Sequence, residues 1–484
     1  MSKKDSEVKK DGFRDKISTV DKHGGRVWIY PKKVNGKYFK LRSGLSYVLL
    51  VVFFVIPFIK IKGDPLVLLN IVERKFILFS VVFTPQDMHL LALSMITFML
   101  FIVLFTVVFG RLFCGWVCPQ TIFLEMVFRK IEYAIEGDFN AQKRLHKAPW
   151  TSEKIFKKSL KHVVFFAISI CIANLFLAYI IGVDELFKII KDPINLHLYG
   201  FFALVLFSLL FYYIFAFFRE QVCLVVCPYG RLQGVLLVKN SIVVIYDWIR
   251  GEPRGKLQKN RNSNRDAFVE LPINNNVPQN GDCVDCDLCV KVCPTGIDIR
   301  NGTQLECINC TACMDACDEV MTKIGKPNGL IRYDSHSNIE EKTPKIFTAR
   351  VWAYISVLSI LIGLQSYLLI QRGDIELILL RTPGVMFQEN SEGDISNLYN
   401  YQIINKTTNK IENLSFKLKN MDGEIKLVGQ SIHDIEKQEI AKGSLFIEID
   451  KDKLKSRSTK VIIDVYSDDK VIDKVKTTFL GPIK

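Results

Sequence analysis

Cysteine spacing is the strongest chemical signal in this chain. Cys283, Cys286, Cys289 and Cys293 form C-x2-C-x2-C-x3-C followed by Pro294, and Cys307, Cys310, Cys313 and Cys317 repeat the same spacing. Such a run wraps three thiolates around one corner of an iron–sulfur cubane, while its fourth thiolate reaches across to a neighbouring cubane. The expected ligands of one [4Fe-4S] cluster are therefore Cys283, Cys286, Cys289 and Cys317. Those of the second are Cys307, Cys310, Cys313 and Cys293. The second run has Asp318 where the first has proline, but proline is not a ligand. Zinc also binds C-x2-C pairs; two four-membered runs without an interleaved histidine favour iron.

Two further pairs share a different motif. Cys114 and Cys118 lie in RLFCGWVCPQ, and Cys223 and Cys227 lie in REQVCLVVCPYGR. Each is C-x3-C-P at the end of an apolar stretch. On a helix, i and i+4 share a face, and the proline would end the helix just beyond. Two pairs could converge into a four-thiolate site, and soft thiolates select Cu(I), zinc or iron–sulfur. Arg111, Arg219 and Arg231 are placed to depress the thiol pKa values. The alternative is that these are small buried residues beside a helix stop. Cys171 stands alone in an apolar stretch and reads as core. The histidines show no i, i+4 pairing, so a haem site is not indicated.

The elements that must position these residues are membrane helices. Hydrophobic residues make up 49% of the 484 and charged residues 24%, which suits a membrane protein with sizeable soluble parts. Five stretches approach the roughly 20 apolar residues needed to cross a bilayer: 44–61, 89–110, 162–182, 199–218 and 350–370. A sixth, 65–84, is interrupted by Glu73, Arg74 and Lys75 and reads as re-entrant or interfacial, since charges in mid-span are costly.

The net charge of +14 could suggest nucleic acid, but its location argues for membrane lipid instead. Residues 1–42 carry 13 Lys/Arg against 5 Asp/Glu, directly before the first span, where basic flanks set topology and touch anionic lipid. No nucleic-acid partner is expected. Lys/Arg counts of 13, four, ten and two in the tail and in the loops 60–88, 111–161 and 183–198 alternate as the positive-inside rule requires. The N-terminus and residues 219–348 are then cytoplasmic and residues 371–484 external. Twelve of the 13 cysteines fall in segments on the cytoplasmic side, where a reducing compartment disfavours disulfides and clustered thiols suggest metal.

The expected fold class is a multi-domain membrane protein: an α-helical bundle of about five spans with an inserted dicluster domain and a C-terminal β-sandwich. The expected order is a basic tail (1–43), spans one to four (44–245), a linker (246–281), the iron–sulfur domain (282–334), a linker (335–349), span five (350–370) and the external domain (371–484). In the last, 399–407, 411–418, 423–428, 444–450, 460–467 and 470–479 read as short strands between Asn, Asp, Gly and Lys turns. About 100 residues of this kind suit an immunoglobulin-like sandwich.

Together these features resemble the FixG/CcoG-type accessory proteins of cbb-type cytochrome c oxidase, membrane polyferredoxins. The stretches that carry the resemblance are RLFCGWVCPQ (111–120), CPYGR (227–231), RGEPRG (250–255), the run 281–321, GLIRY (329–333) and NLYNYQIINKT (397–407). The resemblance implies a bacterial inner-membrane location with a periplasmic C-terminal domain, two [4Fe-4S] clusters and a role in assembling the oxidase's copper centre by reducing Cu(II) to Cu(I). On that reading Cys114, Cys118, Cys223 and Cys227 reduce and hold copper, and the protein is an oxidoreductase. Implied partners are oxidase assembly factors, a copper transporter or chaperone, and a cytoplasmic electron donor. The rival readings are a quinol-dehydrogenase-like ferredoxin subunit of a respiratory chain and a non-catalytic assembly scaffold.

Overall fold

The structure is a computed structural model. It describes residues 18–256 and 281–482, apart from positions 22, 24, 62, 72–74, 80, 84–86, 343–345, 374, 385, 391–392, 408, 430–433, 438, 455 and 468–469. Residues 1–17 of the basic tail and most of the expected linker 246–281 therefore lie outside the described residues. The chain forms two compact units. One comprises Met1–Val55, Ile96–Ala178 and Asp184–Leu361; the other comprises Ile56–Met95, Tyr179–Val183 and Ile362–Lys484.

Five helices among the described residues are long and apolar enough to cross a membrane: Lys37–Phe58, Met88–Phe109, Ser152–Ile181, Leu198–Phe218 and Ala349–Ile370. Their outer faces are apolar: Met99 is 68% exposed and Leu206 70%, as side chains bathed by lipid would be. The first helix starts at Lys37, seven residues before the expected Gly44. The backbone N–H groups of Tyr38 and Phe39 donate to the Asp315 carboxylate at 3.0 and 2.7 Å. A carboxylate there satisfies two otherwise orphaned donors and opposes the helix dipole, which extends the helix through a stretch that hydropathy alone assigns to the tail. Inside the bundle, Phe123, Phe128, Phe165 and Phe215 form a buried cluster, with the Phe128 and Phe215 rings stacked at 4.6 Å.

The stretch 65–84, expected to be re-entrant or interfacial, contains strands among its described residues. Val67–Asn70, Lys75–Leu78 and Val81–Phe83 form a three-stranded antiparallel sheet. Asn70 pairs with Lys75, the innermost pair between the first two strands. Ile77 and Val82 are buried together with Leu68. β-branched and aromatic residues on either side of a polar turn make this segment a strand former, which a hydropathy window does not register.

The expected linker after the fourth span begins with ordered structure. Val243–Tyr246 is a fully buried strand paired antiparallel with Ile331–Asp334. A short helix, Trp248–Gly251, follows, capped by the Asp247 side chain accepting from the Arg250 N–H. The strand ties the two ends of the iron–sulfur insert together.

The C-terminal unit contains a two-sheet sandwich. One sheet runs Glu424–Val428, Ile440–Ile449, Ile395–Asn405, Ile375–Arg381, with Gln388–Glu389 also on Ile395–Asn405; the other runs Leu414–Leu418, Ser458–Ser467, Lys470–Leu480. Alternate residues of both sheets, including Tyr399, Ile403, Leu445, Ile463 and Phe479, fill the space between them. Every expected strand is present. Ile375–Arg381 and Gln388–Glu389 were not foreseen: IELILLR is apolar with little alternation, and Gln388–Glu389 is only two residues long. Asn405 is fully buried and donates to the carbonyls of Asn409 and Glu436 at 2.8 and 3.0 Å, bracing the end of its strand.

Candidate functional site

The two four-cysteine runs fold as copies of one loop. In each run the residues on either side of the second cysteine have positive φ: Asp285 (49°) and Asp287 (57°) in the first, Asn309 (52°) and Thr311 (65°) in the second. Asp and Asn tolerate this region, but a β-branched Thr does so only under strain. The matched geometry folds each three-cysteine stretch around a cavity. One cavity is lined by Cys283, Cys286, Cys289 and Cys317, with Tyr246 and Arg300. A second is lined by Cys293, Cys307, Cys310 and Cys313, with Cys289 on the border. Each set pairs a run's first three cysteines with the other run's last. Cys313 and Cys317 are on the helix Ala312–Lys323, whereas Cys293 lies just beyond the short helix Leu288–Lys291.

Burial pushes the pKa of Cys307 up to about 11, and those of Cys289, Cys310 and Cys317 up to about 12. Neighbouring thiols add to the rise in all four. Thiolates gathered in such a place need a compensating cation. A [4Fe-4S] core supplies one, held by thiolate sulfurs set far apart. Among the described residues no three His, Cys, Asp or Glu side chains are grouped to hold a single metal ion. The donor sets therefore fit a cubane better than a lone zinc.

The cysteine pairs do not lie on one helix face as expected. Cys114 is in the short helix Leu112–Trp116, but Cys118 has extended geometry (φ −59°, ψ 123°) and caps the next helix, Pro119–Ile122. Cys223 lies in the π-helical turn Val222–Val226, and Cys227 (φ −67°, ψ 112°) caps the helix Pro228–Leu236. Each proline begins a helix instead of ending one. Proline is preorganised for the first helical position, where its missing N–H costs nothing, and it forces the preceding cysteine out of helical geometry.

All four thiols nevertheless converge. Cys223 is close enough to Cys118, Cys114 and Cys227 to feel each of them, and burial together with this proximity raises its pKa. Burial also raises Cys118 and pushes Cys114 up to about 11, against the opposing effects of a Gln233 hydrogen bond and Arg111. The expected depression by three arginines is therefore overturned. Arg231 is exposed. Arg219 is turned away by a bidentate bond to Glu132, at 3.0 and 2.6 Å.

That pair anchors a buried ionic network. Glu132 also meets Lys161 at 3.4 Å, and Arg129 is paired with Glu125 at 2.9 Å and with Glu220. Despite burial, the attraction of Arg219 and Lys161 holds the Glu132 pKa down at about 2. Arg219 itself has positive φ (51°) between two π-helical turns, a strained backbone that the bidentate bond holds.

The second cysteine set abuts the C-x3-C-P segments. Arg111 donates to the Cys307 carbonyl at 3.3 Å and the Gly230 carbonyl at 3.2 Å. Trp116 donates to the Tyr333 hydroxyl at 3.0 Å, and that hydroxyl donates to the Asn309 carbonyl at 3.0 Å. A Cβ on Gly115 would sit 2.4 Å from the Ile308 carbonyl, so only glycine permits this approach. Arg42 donates to the Gly115 carbonyl at 2.7 Å. Gln233, Arg42, Trp116, Tyr333 and Glu132 were not singled out from sequence. The charges of Arg42 and Glu132 beside apolar stretches were a usable signal; Gln233 offered none.

Comparison with known proteins agrees with this architecture. A 4Fe-4S dicluster domain model matches residues 218–336, a 4Fe-4S binding domain model matches 91–136, and a model of the IG-like fold at the C-terminal of FixG matches 366–482. Protein RdxA of Cereibacter sphaeroides is 33% identical over 401 residues, covering 78% of this chain and 80% of RdxA. Nitrogen fixation protein FixG of Rhizobium meliloti is 32% identical over 421 residues, covering 78% and 76%. Protein RdxB of Cereibacter sphaeroides is 33% identical over 404 residues, covering 80% and 81%. With its membrane helices, its dicluster insert and its C-terminal sandwich, this chain belongs to the FixG family of membrane iron–sulfur electron-transfer proteins.

Proposed function

We propose that this protein is a membrane-bound cupric reductase that serves assembly of the copper centre of a cbb-type cytochrome c oxidase. The observation that carries the reading is the convergence of Cys114, Cys118, Cys223 and Cys227 beside the second cysteine set, to which Arg111 and Trp116 tie them. Cys283, Cys286, Cys289 and Cys317 would hold one [4Fe-4S] cluster and Cys307, Cys310, Cys313 and Cys293 the other, and these would supply one-electron transfer. The substrate Cu(II) takes one electron and becomes Cu(I). Thiolates favour Cu(I), so this site promotes the reduction and retains its product, and each thiol that binds gives up its proton.

In this reading the N-terminus and the insert face the cytoplasm of a bacterial inner membrane, where a soluble donor reaches the first set through the exposed Cys286. The sandwich faces the periplasm, where a copper transporter or chaperone and oxidase assembly factors would meet it.

A second reading has support too. Both pairs fall within matches to 4Fe-4S domain models, so the four thiols would instead hold a further iron–sulfur centre of a respiratory electron-transfer subunit. The deciding experiment uses anaerobically purified, reduced protein, with a cuprous-ion chelator in the assay. Cys114→Ser with Cys118→Ser, and separately Cys223→Ser with Cys227→Ser, should abolish cuprous-ion release while iron content stays unchanged. Loss of iron in either variant would establish the second reading instead.

A further inference from the structure

The two cysteine sets differ in their surrounding charge. Beside the first set, Arg300 lines the cavity with Cys289, but its guanidinium is paired with three carboxylates, Asp285, Asp287 and Asp298, each at 2.7 Å. Local charge there is net negative. Beside the second set, Arg42 and Arg111 are each only 4% exposed, and neither forms an ion pair among the described residues. Glu306 is within electrostatic range of Arg111. Arg42 shares a cavity of about 320 Å³ with Cys310 and Pro294, and its charge acts on Cys310. Its Nε is engaged by the Gly115 carbonyl, while its Nη2 is buried without a hydrogen-bond partner.

A buried guanidinium with a free donor is expensive unless an anion meets it. A tetra-thiolate cubane is such an anion, and it gains one more negative charge on reduction. Net charge and hydrogen bonds to the sulfurs are what set its potential.

We infer that Arg42, assisted by Arg111, is the counter-charge of the cluster held by Cys307, Cys310, Cys313 and Cys293, and raises its reduction potential selectively. The cation stabilises the more negative, reduced state, so removing it lowers the potential. The half-buried setting of all four thiols works in the opposite direction, and Arg42 offsets it. The cluster next to the C-x3-C-P thiols is thereby kept able to accept an electron from the cluster nearer solvent. Arg42 acts as a tuning residue and is not itself a ligand.

The inference rests on the two ligand sets given above, and the test separates the two claims. Redox titration followed by low-temperature EPR on the anaerobically purified full chain should give two cluster signals with separate midpoints. If the wild type lacks two signals, the ligand sets fail. Given two signals, Arg42→Gln should move one midpoint to lower potential and leave the other in place, with iron content unchanged. Arg42→Lys should keep that midpoint close to the wild-type value. Arg111→Gln should move the same midpoint in the same direction, and it serves as the test if Arg42→Gln does not fold. Cys310→Ser should perturb the signal that Arg42→Gln moves. Equal shifts of both midpoints, no shift, or a shift only of the signal sensitive to Cys286→Ser would overturn the inference.

Discussion

Gln233 donates its side-chain amide to the sulfur of Cys114 at 2.9 Å. The bond joins the two C-x3-C-P motifs, because Gln233 lies on the helix that Pro228 begins. It lowers the pKa of a thiol that burial otherwise raises. Gln233→Leu should therefore leave Cys114 harder to deprotonate. A hydrogen bond to a charged group contributes about 1.5–3 kcal/mol, so binding of Cu(I) should weaken roughly tenfold or more. Competition with a cuprous chelator measures this. Unchanged affinity in a folded variant would show that Cys114 does not bind the metal as a thiolate.

Iron content tests the ligand sets. The wild type, purified without oxygen, should hold about eight irons per chain, as two cubanes require. Cys317→Ala and Cys293→Ala should each disturb one EPR signal, and a different one, although each residue sits in the run that supplies the other cluster's first three ligands. If both variants affect the same signal, the crossed arrangement is wrong.

The pairing of Glu132 with Arg219 should dominate the local stability of the bundle's polar edge. Removing one partner of a buried pair costs about 3–5 kcal/mol, so Glu132→Gln should lower the unfolding midpoint clearly. The pH dependence follows from the depressed Glu132 pKa. Its stabilisation is fully present above the ordinary glutamate value of 4.5 and is lost as pH falls toward about 2. Thermal unfolding in detergent between pH 5 and pH 3 should show this loss in the wild type and little of it in Glu132→Gln. Equal slopes would remove Glu132 as the cause.

Topology is accessible to reporter fusions. Lysine and arginine counts alternate along the loops, so fusions at Lys40 and Asn301 should report a cytoplasmic location, and one at Gly481 an external one. An external signal at Asn301 would invert the map and move the donor's docking face across the membrane.

What the sequence determined is what depends on neighbours in the chain. Cysteine spacing named the cluster type and suggested the crossed sets that line the two cavities, because a cubane's geometry is written into short intervals. Apolar length located the five spans, to within seven residues at the first helix's start and ten at the third's. Alternation marked the sandwich strands except Ile375–Arg381, an apolar run whose inner residues alone are buried, and the two-residue Gln388–Glu389. Segment 65–84 was expected to be re-entrant or interfacial, and its strands were not foreseen because overall hydropathy does not register secondary structure.

Tertiary structure decided the rest. Cys114 and Cys223 are far apart in sequence, and only the packing of their helices brings their thiols together. Spacing placed each pair on one helix face, but proline started a new helix and turned Cys118 and Cys227 out of it. Arg219 looked available to activate a thiol until Glu132, on another helix, engaged it. Charge acts through space, so which partner a buried arginine meets is settled by the fold and not by its sequence neighbours.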